Sequence, residues 1–196
     1  MLVDTELVAS LRGSGFPRLF AEAEAAIKEV ELEQAELIIP AVNELRYAGY
    51  HISKYINYPE AKDEIDRAIG HCKRARYDAY EAGIIYYHRE FLKFQNDYKT
   101  VVITASLPDY LKYCREMNRA IDFIKGTDKE TKDVHYQQCS EIFKTMVNIS
   151  KDIVIAREEL NKVLKKERAE SFMAIFMAAV TALALVFSVY SFFVSN

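Results

Sequence analysis

The 23 residues from Phe172 to Val194, FMAIFMAAVTALALVFSVYSFFV, contain no charged side chain. As a helix rising 1.5 Å per residue the run covers roughly 34 Å, enough to cross a hydrocarbon layer of about 30 Å with some tilt. A helix of that length in a water-soluble core ordinarily carries charges along its outer face. The run is therefore expected to be a transmembrane helix, and the rest of the chain must fold as a body attached to it. Lys162, Lys165, Lys166 and Arg168 precede the run and only Ser195 and Asn196 follow it. By the positive-inside tendency the N-terminal body is cytoplasmic and the chain is a single-pass, tail-anchored membrane protein, with a bacterial inner membrane as the expected location. The first residues, MLVDTELVAS, place Asp4 where a secretory signal would carry a basic segment and a long apolar run, so no such signal is expected.

The body is expected to be an all-α helical bundle. With 51% hydrophobic and 28% charged residues in 196 it has the apolar material for a core, and with only 6 Gly and 4 Pro it has few breaks. Short helical signals run from Val3 to Leu11 and, after RGSG, from Pro17 to Ile39; Pro40 either kinks or restarts the chain. A third helix covers Ala41 to Tyr55. A fourth runs from the acidic residues after Pro59 to about Ile103, with Ile65, Ala68, Ile69, Cys72, Ala75, Ala79, Ala82, Tyr86 and Phe91 as its apolar stripe. A fifth follows SLPD and stops at Gly126. Three segments result: a cytosolic bundle at 1–128, a long heptad helix at 129–170 that packs on or extends from it, and a C-terminal anchor at 171–196.

No proline or glycine occurs from Asp128 onward, and Cys139, Ile142, Met146, Ile149, Ile153, Ala156, Leu160 and Val163 recur at alternating steps of three and four. That is a coiled-coil seam, which either closes this chain's own bundle or pairs with another chain. In the anchor, Ser171, Ala174, Ala178, Ala182 and Ser188 gather small side chains that let membrane helices approach closely, which points to a homo-oligomer in the lipid bilayer.

The formal net charge of −3, with basic residues interspersed among acids, does not suggest generic binding to a phosphate backbone. The three cysteines, Cys72, Cys114 and Cys139, have no metal-site or redox spacing and fit reduced thiols packed as small hydrophobes; no metal or cofactor is expected. No P-loop, dinucleotide fingerprint or serine-histidine-acid set is visible. Thirteen tyrosines and eleven phenylalanines, concentrated in YDAYEAGIIYYHREFLKF, read as a thick core with wet hydroxyls.

The chemistry that can be sought lies in ELRYAGYH, where Arg46 and His51 stand five apart on a helix and so point about 140° away from each other. Facing copies in a dimer could still line one cleft with both pairs, the histidine moving protons and the arginine holding a phosphate. A related pattern recurs, Ala48, His51, Lys54 and again Ala68, His71, Arg74, which suggests two similar helices side by side with alanine at the contact and the polar residues toward the rim. Asp66, Asp78 and Glu81 are close enough in sequence to pair with the basic members.

The arginine-four residues-histidine pattern on a helix of a small all-helical protein resembles the HEPN superfamily, over about Glu44 to Phe94. Many members are dimeric ribonucleases with this motif at the dimer cleft, and the resemblance implies Arg46 and His51 as the catalytic pair. The organisation also looks like the small transmembrane effectors of bacterial immunity, including HEPN-like membrane accessory proteins found beside some RNA-guided systems. The leading expectation is a non-enzymatic, oligomeric, membrane-anchored effector or accessory protein in antiviral defence, pore-forming or membrane-perturbing, with a protein or RNA partner at its cytosolic bundle. The alternatives are a membrane-tethered ribonuclease using Arg46 and His51, and a tail-anchored adaptor.

Overall fold

Glycine and proline set the first breaks for backbone reasons. In the computed structural model, which describes residues 5–126 and 132–194, helix α1 (Thr5–Gly13) gives way to α2 (Phe16–Gln34) through Gly15 in the left-handed region at φ 79°. Pro17 occupies the first turn of α2, where its missing amide hydrogen is no loss. The expected start at Val3 lies outside the described residues. Helix α2 stops at Gln34 rather than Ile39, because Ala35 turns left-handed at φ 56° and its N–H closes on the Glu31 carbonyl at 2.8 Å. Pro40 consequently restarts the chain in the first turn of α3 (Ile39–Asn57) instead of kinking one long helix.

Helix α4 (Asp63–Asp97) is 35 residues long and opens with Asp63, Glu64 and Asp66 in its first turn, where acids complement the helix dipole. It ends at Asp97, short of Ile103. The β-branched Thr100, Val101 and Val102 that follow resist helix; a turn closed by Val101 N–H on the Tyr98 carbonyl at 3.1 Å replaces it. The short α5 (Ile103–Ser106) and then α6 (Tyr110–Lys125) follow, and Gly126 ends α6 with its N–H on the Asp122 carbonyl at 2.9 Å. Helix α7 (Lys132–Val194) runs for 63 residues and holds the heptad seam and the apolar run in one element. The protein is all-α, and no strand occurs among the described residues. The expected boundary between residues 128 and 129 lies outside them.

Two compact units divide the chain, 1–93 with 112–150 and 94–111 with 151–196. In the first, Val30, Ala68, Ala75, Ala79, Ile84 and Phe143 have no exposed surface. Gly83 sits where α4 meets both α2 and α7, and a Cβ there would lie 2.5 Å from the Phe143 ring and 3.1 Å from Val30. The apolar stripe of α4 accordingly shifts after Ala79: Tyr80, Gly83, Ile84, Tyr87 and Phe91 are buried, while Ala82 and Tyr86 are only half-buried. The buried tyrosines keep their hydroxyls satisfied, Tyr80 donating to Glu29 at 3.0 Å and Tyr87 to Glu33 at 2.6 Å. In the second unit Phe94, Tyr98, Ile103 and Leu107 are buried together with Ile153, Ala156 and Leu160; Tyr98 donates to Asn161 at 2.9 Å and Arg157 pairs with Asp97 at 3.3 Å.

The seam is buried within the single chain from Cys139 through Met146, Ile149, Ile153 and Ala156 to Leu160, with Ile142 half-buried. Val163 is 38% exposed, so cover ends one step after Leu160. Of the two uses open to this pattern, the chain makes the internal one.

Candidate functional site

Helices α3 and α4 run antiparallel through a short connection, which brings two sequence segments of one form face to face. ELRYAGYHISK (44–54) and EIDRAIGHCKR (64–74) share Glu, Ala, His and a basic residue at the same offsets, twenty residues apart. Ala48 and Ala68 are wholly buried, so the two backbones approach closely. Each glutamate then binds the histidine and the cation of the opposite copy. Glu64 holds the Nδ1 of His51 and accepts from Lys54 Nζ at 2.7 Å. Glu44 holds the Nδ1 of His71 at 2.7 Å and accepts from Arg74 Nε at 2.8 Å. The two imidazoles stack on each other with centroids 5.1 Å apart and planes 19° from parallel.

Electrostatics favour ionised carboxylates here. Lys54 first, then His51, hold the Glu64 carboxyl down to about 2 although that residue is only 5% exposed. Burial pushes the Glu44 carboxyl up, and the hydrogen bonds from Arg74 and His71 more than offset this, leaving it below the usual range. The expected partners Asp66, Asp78 and Glu81 are not the acids that pair with these cations: Asp66 is exposed, and Asp78 and Glu81 are half-buried acids on α4. Burial, with Glu44 and Glu81 close by, pushes Asp78 up to about 6, and burial likewise raises Glu81. The register of the antiparallel pair decides the matter, since it places Glu44 opposite His71 and Glu64 opposite His51. The sequence showed only the repeat, a glutamate seven residues before a histidine in both copies, and the register alone decides which glutamate meets which histidine.

Arg46 and His51 are not brought together within the chain. Arg46 is exposed with its guanidinium 5.0 Å from the centre of the Tyr47 ring, whereas His51 has 14% of its side chain exposed and is committed to Glu64 and the His71 stack. A carboxylate on Nδ1 fixes the ring's orientation and leaves Nε2 as its second nitrogen. Two such dyads locked to each other, with a cation on each acid, form a clasp between α3 and α4. Among the described residues no group of three or more His, Cys, Asp or Glu is placed to hold a metal ion. Cys72 and Cys139 are buried, and burial pushes their thiols up to about 11 and about 12, which makes both poor nucleophiles.

The other feature is the end of α7. One stretch of this helix, within Gln137–Ser188, is long and apolar enough to cross a membrane, and none of that stretch is buried in the protein. Phe172, Ile175, Leu183 and Phe187 are each about seven-tenths exposed. Ser171, Ala174, Ala178, Ala182 and Ser188 are all exposed as well. The hydroxyls of Thr181 and Ser188 donate to the carbonyls of Met177 and Ala184 at 2.9 Å, so both are satisfied inside their own helix. Compared with known proteins, the chain matches no family model, no curated protein and no solved structure.

Proposed function

We propose that this chain is a membrane-anchored helical effector or accessory protein that acts by assembling in the bilayer rather than by catalysis. The carrying observation is the uncovered apolar end of α7. Eleven large apolar side chains from Phe172 to Tyr190 are exposed, and leaving about half or more of each in water forgoes roughly 1 kcal/mol. The total is on the order of 10 kcal/mol, comparable to the whole stability of a typical domain. Such a surface needs lipid or another apolar surface over it, and the basic residues that precede it orient the N-terminal body to the cytoplasmic side. The stacked histidines and their glutamates serve in this reading as a structural clasp. The assignment to antiviral defence, with membrane perturbation as the mode of action, draws on the resemblance in organisation to small HEPN-like membrane accessory proteins.

Two measurements test it. Full-length protein in membranes should resist extraction by alkaline carbonate, and the detergent-purified protein should hold one complex mass by light scattering across a wide dilution range. Release by carbonate sinks the anchor, and a monomer at every concentration sinks the assembly. RNA cleavage that vanishes in His51→Ala while complex size persists would instead favour the tethered ribonuclease.

A further inference from the structure

At the start of the apolar run the second unit contains a cavity of about 570 Å³, within the range of small-molecule sites. Its lining separates by chemistry. Phe172 and Ile175 form an apolar end that continues into the exposed surface of the span, whereas Lys99, Glu167 and Arg168 form a charged end, with Leu164 one helical turn before Arg168. Asp97 also lines the cavity, and its charge is answered by Arg157 at 3.3 Å. Helix α4 ends at Asp97, so the pole it presents at this place is the negative one, worth about half an elementary charge.

We infer that this cavity binds one phospholipid with a phosphoethanolamine headgroup, a site that rests on the reading of α7 as a membrane anchor. The depth is right for a headgroup, because Arg168 lies four residues before Phe172, about one helical turn, where polar heads meet the hydrocarbon. Lys99 and Arg168 bracket the phosphate, the guanidinium offering paired donors to its oxygens. Glu167 and the carbonyl pole of α4 receive the primary ammonium, which can donate three hydrogen bonds. The acyl chains leave along Phe172 and Ile175. A headgroup with negative charge alone would leave Glu167 and the helix pole unanswered, and a choline head has no N–H to give them.

The comparison of phosphatidylethanolamine with phosphatidylcholine is decisive because both are neutral overall, so the diffuse attraction of the basic stretch 162–168 cancels. Full-length protein in mild detergent is offered an equimolar mixture of the two, and retained lipid is counted by native mass spectrometry. The wild type should retain phosphatidylethanolamine several-fold over phosphatidylcholine. Lys99→Ala with Arg168→Ala should lose both lipids, and Glu167→Gln should keep bound lipid but lose the preference. Lys165→Ala with Lys166→Ala, outside the cavity, should behave as wild type. All these positions are exposed, and circular dichroism verifies that each variant keeps its helix content. Equal retention of the two lipids by the wild type, a stronger preference for phosphatidylglycerol when that lipid is offered in place of phosphatidylcholine, or equal loss in the Lys165 and Lys166 variant overturns the site. Flotation of the wild type with phosphatidylcholine vesicles reads the anchor separately: flotation without lipid preference removes the cavity site alone, and failure to float removes the anchor.

Discussion

Glu64 lies buried against His51 and Lys54 with its carboxyl held down to about 2, well below the 4.5 of an unperturbed glutamate. A carboxyl whose folded value lies below its unfolded value contributes stability that is fully present above about 4.5 and lost as the pH falls toward 2. Glu64→Gln should therefore melt several degrees below wild type at pH 7, and the gap should narrow as the pH drops from 4.5 toward 2; thermal melts followed by circular dichroism across that window measure it. Asp78 has the opposite sign. Burial, then Glu44 and Glu81, raise it from 3.8 to about 6, so the ionised form is penalised in the folded protein above that pH and the penalty lifts as the pH falls below it. Asp78→Asn should gain about 1 kcal/mol at pH 8, the shift being discounted for the solvent that reaches a half-buried group, and the gain should fade between pH 6 and 4. Melts of the two variants in one pH series should thus diverge in opposite directions at neutral pH.

Helix α4 changes neighbours along its 35 residues, and that explains which parts of it could be read in advance. Ala68, Cys72, Ala75 and Ala79 follow a single helical stripe, and they are buried as the spacing predicts. Past Ala79 the helix is held between α2 and α7, two directions are buried at once, and the stripe moves to Gly83, Ile84 and Tyr87. A glycine in the interior of a long helix carries no periodic signal of its own, so the position that matters most for this crossing was invisible. The same holds for the clasp: Ala48 and Ala68 were legible as contact residues, while Glu44 and Glu64 became partners of the histidines only through an antiparallel register that one-dimensional spacing does not supply. Gly83→Ala should cost about 1–3 kcal/mol, because its methyl would meet a fully buried phenyl ring at 2.5 Å and neither side can retreat. Combining it with Phe143→Leu should cost less than the two single losses added, and denaturant titration of the four proteins in the cycle reads that coupling directly.

At the scale of the whole molecule the seam and the apolar run divide one helix into two kinds of surface. From Cys139 to Leu160 the seam side chains of α7 are covered by the chain itself, Ile142 partly so, while Val154 and Ile155 off the seam stay exposed. Between Phe172 and Phe187 the large apolar side chains are exposed, and a second copy that binds through apolar contact has that run to use. Ala178 and Ala182 both lie there, one helical turn apart and exposed. Replacing both with leucine keeps the segment as hydrophobic as before, so insertion should be unchanged, while the larger side chains hold two helix backbones apart. The double variant should therefore fractionate with membranes as wild type does, form a smaller complex in detergent and lose any permeabilisation of vesicles loaded with a fluorescent dye. A tethered enzyme or an adaptor would register little beyond the change in size. If the variant keeps both its complex mass and its dye release, the alanines are composition rather than contact, and the interface must then be sought on the exposed surface of the helical body, where Val154 and Ile155 are apolar and uncovered.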